Sequence, residues 1–275
     1  MSLSEKAVRL RTLHHGPPIL VLPNAWDAAS ARVIEQAGFS AIATTSAGVA
    51  FSLGYPDGQR IGRDEMLAAI RRIAAAVRVP VTADIEAGYG EAPESVAETI
   101  RGVLDAGAVG VNLEDSWERD GGRVLADLAL QEERIRAARE AAQAAGVSLV
   151  INARTDVFLY GLGDEAEAIR RLNAYLRAGA DCAFPILVSD PPLIARLVEA
   201  IQGPVNIFAG PGAPSIPDLE RLGVARVSFG SALSRAALGL TRRIADELKS
   251  TGTYASFPED TIPFPEANRM FGGPR

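Results

Sequence analysis

The chain has 275 residues, 48% of them hydrophobic, enough for a large core and for one or two domains. Its formal net charge is −6, with acids and bases interspersed and no basic run, which argues against nucleic acid and anionic membrane surfaces as partners. A single cysteine, Cys182, excludes an intramolecular disulfide; the N-terminal stretch lacks an apolar leader and nothing approaches a membrane span, so a soluble cytoplasmic protein is expected.

Along the chain, short runs rich in Val and Ile alternate with longer Ala/Leu/Arg/Glu segments of helical period. The runs are "ILVLPN" (19–24), "AIATTS" (41–46), "VPVTADIE" (79–86), "VGVNLED" (109–115), "LVINART" (149–155), "CAFPIL" (182–187), "PVNIFA" (204–209) and "ARVSFG" (225–230). Helices are predicted at about 27–37, 64–77, 94–106, 131–145, 164–178, 191–201, 215–222 and 231–249. Ser95, Asp164 and Ser215 are candidate helix caps. "EQAGF", "LDAGAVG", "QAAGVS" and "LRAGAD" each place Gly at a helix end before the next strand. Eight such units predict an α/β fold, a single (β/α)8 barrel over 1–275, in preference to a doubly wound open sheet. The tail from 251 to 275 carries Pro and Gly and reads as an extended arm, either packed at the terminus or contacting a neighbouring subunit.

In a (β/α)8 barrel the active site lies at the C-terminal ends of the strands. The segment after strand two carries Asp57, strand three ends with Asp84 and Glu86, strand four with Glu114 and Asp115, and strand five with Arg154 and Asp156. Side chains alternate along a strand. Thr82, Asp84 and Glu86 therefore share one side, as do Asn112 with Glu114 and Asn152 with Arg154, while Ile85, Leu113 and Ala153 face the other. Clustered carboxylates cannot all stay ionised in a dry site, and a divalent cation with all-oxygen ligands, Mg2+, resolves this. The alternative for each acid is a surface ion pair or a helix cap; that alternative, or a supporting role, suits Asp115 and Asp156. His14 and His15 read as a solvated loop rather than a zinc site. Cys182 reads as a core residue, Trp117 and Tyr89 as a lid, wall or packing anchor, and "FAGPGAPS" (208–215) as a structural turn. Asn206 is a candidate pocket residue.

At "TTSAG…SLGYPDG", "ADIEAGYG", "NLEDS" and "NART" the chain resembles the isocitrate lyase/phosphoenolpyruvate mutase superfamily, and the resemblance spans nearly the whole sequence. It implies a homodimer or homotetramer in which the last helix, about 231–275 with its arm, packs on a neighbour. It implies Mg2+, with Mn2+ as the alternative ion, held directly by Asp84 and through water by Asp57, Glu86 and Glu114. It implies a small 2-oxo or 2-hydroxy acid ligand that also meets Asp84, Thr45, the backbone amides of Ser46, Ala47 and Gly48, and Arg154 as a carboxylate clamp.

The departure lies just after strand four. Lyases of the superfamily carry a Lys-Arg-Cys-Gly-His loop there, and the phosphonate-cleaving and mutase branches a Lys-Thr-Asn type loop. This chain has "SWERDGGRV", with Asp120 at the cysteine position. Asp120 and Arg154 are the candidate catalytic residues. Carbon–carbon cleavage through a metal-stabilised enolate is expected, and decarboxylation above methylisocitrate-type cleavage. A phosphonate P–C mutase or hydrolase and a non-catalytic 2-oxo acid binder are the alternatives. A glycoside hydrolase would want aromatic sugar platforms, and two Trp and five Tyr offer few.

Overall fold

Each of the eight apolar runs forms a strand in the structure, a computed structural model that describes residues 1–272. The last three residues of the predicted arm, 273–275, lie outside the described residues. The strands are β1 (Leu20–Leu22, continuing past Pro23 as Asn24–Ala25), β2 (Ile42–Thr44), β3 (Val81–Asp84), β4 (Gly110–Glu114), β5 (Val150–Thr155), β6 (Cys182–Pro185), β7 (Asn206–Phe208) and β8 (Arg226–Ser228). All pair in parallel and in sequence order. A bridge between Ala183 and Val205 joins β6 to β7, and Leu20 opposite Arg226 closes the circle. Pro23 has no N–H to give, and at that residue β1 passes from pairing with β8 to pairing with β2.

The predicted alternation holds where it matters. Ile85, Leu113 and Ala153 are fully buried on the helix side of the strands, among Ile100, Val103, Ile135 and Leu172. Each Ile, Leu or Val side chain so withdrawn from water contributes roughly 1.5–3 kcal/mol before chain entropy is counted. The helix Pro93–Asp105 shows how sequence sets this: Val96, Ile100 and Val103 fall on one face, and that face is buried. Gly179 ends the helix Glu165–Ala178 at φ 117°, a left-handed turn disfavoured for side chains, and the other three predicted helix-end glycines also have positive φ. Asp164 and Ser215 cap as expected. Ser95 does not: Ala92 holds the N-cap position and Pro93 opens the helix, supplying its fixed φ where no donor is needed.

Four features differ from the sequence reading. The helix Leu3–Thr12, started by a Ser2/Glu5 capping box, covers the N-terminal end of the barrel; a Cβ on Gly110 would stand 2.8 Å from Leu10 Cδ2. His14, expected in a solvated loop, is buried beneath the barrel instead. Its Nδ1 donates to Leu10 O at 2.8 Å, and burial together with Arg226 pulls its pKa down to about 3. Strand two stops at Thr44, because Thr45 caps a short helix, Ser46–Ser52. Within the predicted arm lies a helix, Phe264–Phe271, that returns to its own chain, where Arg32 Nε donates to Met270 O at 3.0 Å. The preceding helix, Ala232–Ser250, buries only Ser234 and leaves Leu238 and Leu248 about half exposed, at 55% and 47%.

Candidate active site

The strand register builds the site. Asp84 stands beside Asn112, Asn112 beside Asn152, and Glu114 beside Arg154. Asp84 Oδ2 accepts from Ser46 N at 3.0 Å and from Ser46 Oγ at 2.7 Å, so the first turn after β2 fixes the carboxylate. Its Oδ1 has only a long contact to Asn112 Nδ2, 3.4 Å, and Asn152 Nδ2 in turn donates to Asn112 Oδ1 at 2.5 Å. Arg154 is held on two sides, by Glu114 at 3.0 Å and by Asp156 at 2.6 Å.

Past β3 the chain turns sharply. Glu86 and Tyr89 both take left-handed backbone, φ 50° and 60°, unusual for residues with side chains. Glu86 Oε accepts from Gln59 N at 2.5 Å, and Gln59 Oε1 accepts from Tyr89 N at 2.8 Å, which stitches the turn to the loop carrying Asp57. Burial, Asp84 and Asp57 push the Glu86 carboxyl up to about 8. Asp57 keeps solvent access at the rim, but crowding by protein and the Asp84 charge raise it as well. Burial raises Glu114 well above the usual carboxylate range, with Asp156, Asp84 and Glu86 adding to the effect and Arg154 opposing it. Burial works against the Arg154 charge, but Glu114, Asp156 and Asp84 outweigh it and raise its pKa. The mouth thus gathers more carboxyl groups than can all stay ionised together.

A cavity of about 60 Å3 opens into the barrel beneath these groups. Asp84, Arg154, Asn112, Thr82, Asn24, Ser228 and Arg226 form its polar wall, and Phe184, Ile186 and Phe208 its apolar one. Of the predicted ligand-contacting residues, only Asp84 and Arg154 line it. Thr45, Ser46 and Gly48 are buried in the turn above Asp84, and Ala47 is half-buried beside them. The Gly48 amide donates to Thr45 Oγ1 at 3.3 Å. A Cβ on Gly48 would lie 2.6 Å from Thr45 Cγ2 and 3.0 Å from Ser234 Oγ, so the turn closes only with glycine. Asn206 is fully buried and spends its amide on Ser228 Oγ at 3.1 Å; Ser228, not Asn206, reaches the cavity. Cys182 is buried on the inward side of β6, the side it shares with the cavity-lining Phe184, and burial pushes its thiol up to about 12.

The segment "SWERDGGRV" is a β-hairpin, Ser116–Arg119 paired antiparallel with Gly122–Leu125. Asp120 and Gly121 form its tip with φ 51° and 78°, the two-residue turn whose hand suits the twist of the strands. Asp120 is exposed there and does not line the cavity. Trp117 is buried at the other end, with its indole 5.0 Å from the Arg134 guanidinium, so it anchors the hairpin; Tyr89 is half-buried by the acids. Three residues that matter here escaped the sequence reading. Arg123 projects from the hairpin, Arg226 lines the cavity from β8, and Tyr175 donates to the buried Asp115. An Asp-Gly pair between alternating residues was the available signal for the hairpin.

A closed parallel barrel whose strand ends gather acids and one buried arginine defines an enzyme-type site. The chain belongs to the phosphoenolpyruvate phosphomutase family, whose model matches residues 10–249. It is 32% identical over 241 residues to the 2-methylisocitrate lyase of Escherichia coli K12, covering 84% of this chain and 80% of that one. Among solved structures it is similar to one from Burkholderia cenocepacia J2315 assigned no more closely than lyase/mutase, at 42% identity and TM-score 0.93 over 99% of this chain and 98% of that one. It also matches oxaloacetate acetylhydrolase in complex with 3,3-difluorooxalacetate, at 28% identity and TM-score 0.87 over 98% and 94%. Carbon–carbon lyases are thus among its relatives.

Proposed function

We propose that the protein is a Mg2+-dependent enzyme that cleaves a carbon–carbon bond of a small 2-oxo or 2-hydroxy carboxylic acid, with decarboxylation as the simplest form. The observation that carries this reading is the set of oxygen-only groups, Asp84, Asp57, Glu86 and Glu114, over a cavity that Arg154 also lines. Among the described residues no three Asp, Glu, His or Cys side chains come close enough to grip an ion directly. That fits a cation touched by Asp84 and otherwise held through water, the habit of Mg2+, and Asp84 Oδ1 has the free valence for it. When bound, the cation would supply positive charge beside the oxygen on which negative charge builds.

The chain's own groups would do the rest. Ser46 fixes Asp84, and Glu114 with Asp156 fixes the Arg154 fork where a ligand carboxylate can meet it. In a decarboxylation the electron pair of the breaking bond moves to the carbonyl oxygen, CO2 departs, and the product carbon takes a proton from water. No protein acid is required. A retro-aldol cleavage needs an acid and a base, and the hairpin that replaces the cysteine loop puts Asp120 at an exposed tip, away from the cavity.

The test is turnover of oxaloacetate, alkylmalates, methylisocitrate and phosphonopyruvate, with Mg2+ and with chelator. Oxaloacetate is expected to be decarboxylated only with the metal. Asp120→Asn, which tolerates the left-handed turn, is expected to change the rate by less than about twofold. Efficient methylisocitrate cleavage would overturn the ranking. Phosphonopyruvate turnover would move the reading to P–C chemistry, and binding without turnover to a non-catalytic binder.

Assembly is part of the same proposal. The half-exposed leucines of Ala232–Ser250 would pack on a neighbouring barrel, giving a dimer or tetramer. Light scattering at micromolar concentration is expected to show no monomer; a monomeric mass would sink it.

A further inference from the structure

The hairpin Ser116–Leu125 brings to the rim a cation that forms no ion pair with an acid among the described residues. Arg123 is half-buried on its second strand, opposite Glu118. Glu118 is engaged elsewhere, by Arg60 at 2.6 Å. Among the described residues no carboxylate oxygen comes within 4.0 Å of the Arg123 nitrogens, the ion-pair distance. Arg154 differs: Glu114 and Asp156 already balance it, so a ligand carboxylate must share it with two acids.

The surroundings hold Arg123 in place. Its guanidinium carbon lies 5.2 Å from the centre of the Tyr160 ring, a cation–π contact that covers one face and leaves the N–H edge open. Its Nη2 sits 3.0 Å from where a Cβ on Gly58 would stand, so the missing side chain at 58 makes room for it. Gly58 directly follows Asp57, so the guanidinium stands beside the loop that carries that acid. The hairpin is tied down by Arg119 to Glu91 at 2.7 Å, by Arg60 to Glu118, and by Ser116 to Asp156. An oriented, unpaired guanidinium at the rim of a carboxylate site is suited to bidentate capture of a second carboxylate.

We propose that Arg123 is a specificity-determining residue that binds the distal carboxylate of the ligand, so that the site selects dicarboxylic over monocarboxylic acids. This rests on the reading of the mouth as a 2-oxo or 2-hydroxy acid site. The chemistry at the reacting carbon is left to the cavity; the hairpin measures the ligand's far end.

Malate and lactate provide the probe, because they differ by one carboxylate and neither decomposes in the calorimeter. With Mg2+ present, the wild type is expected to bind malate about tenfold more tightly than lactate, the scale of one charge-assisted pair. Arg123→Gln is expected to bring the two affinities within about twofold while leaving lactate binding unchanged, and Arg123→Lys to give an intermediate ratio. Equal weakening of both acids in Arg123→Gln would mean a merely structural role and would overturn the proposal. So would an unchanged ratio, or equal affinities in the wild type, even with the wider reading intact. If the wild type binds neither acid, both that reading and this inference fail.

Discussion

Asp84→Ala is expected to weaken Mg2+-dependent ligand binding by more than about a hundredfold, beyond the range seen when only an outer partner of a metal is lost. The residue does two things at once. Its Oδ2 fixes the turn at Ser46, and its Oδ1 faces the cavity with a single weak partner. Alanine removes both. Asp84→Asn separates them, because an amide oxygen can still accept from Ser46 while the charge is gone. Both variants are expected to lose the rise in melting temperature that Mg2+ gives the wild type. The asparagine variant is further expected to be as stable as the wild type, or more so, without metal. Asp84 is among the charges that push Glu86 up to about 8, and removing it relieves that repulsion. A Mg2+ response preserved in Asp84→Asn would show that the ion sits elsewhere.

The barrel could be read from the sequence because its rules are local. A strand buried on one face must alternate, and a helix that turns back into the next strand needs a left-handed residue, so eight runs and four glycines were enough. Asp84 and Arg154 followed from the same alternation. What failed depended on distant partners or on turn chemistry that competes with a strand. Strand two looked continuous through Ser46, yet Thr45 offered its oxygen to Gly48 N and started a helix. The N-terminal helix carried a Ser2/Glu5 capping box and could have been found. His14 could not, since its burial depends on Leu10 and on Arg226, 212 residues away. The loop after strand four lacks the superfamily's motif and carries an Asp-Gly turn instead, the local signal of a hairpin. That turn decides where Asp120 and Arg123 point, and so which of the two meets the site.

Asp115→Ala is expected to cost about 3–5 kcal/mol, the range for removing one partner of a buried charge network. Asp115 is fully buried and accepts from Thr155 Oγ1 at 2.7 Å, Asp156 N at 2.9 Å and Tyr175 Oη at 2.7 Å, with Arg171 Nη1 at 3.4 Å. Burial and Asp156 raise its pKa while the Tyr175, Asp156 and Thr155 hydrogen bonds oppose them, so the charge itself is held at a cost. Replacing the whole network by apolar groups would therefore change little. Removing only the acid is different, because the buried Tyr175 hydroxyl loses its acceptor, and the buried Arg171, which keeps Glu167 and the Ala126 carbonyl, loses the Asp115 charge. The melting temperature should fall by about 6–20 °C for a chain of this size. Asp115→Asn keeps the shape and one acceptor oxygen and is expected to lose about 1–3 kcal/mol. The consequence reaches the active site, since Asp115 anchors the backbone of Asp156, and Asp156 orients Arg154. Ligand affinity in Asp115→Asn should fall even at temperatures where the protein stays folded. Thermal and urea unfolding check the first effect and calorimetry the second; a melting temperature within about 2 °C of wild type for Asp115→Ala would mean that the network does not hold these strand ends together.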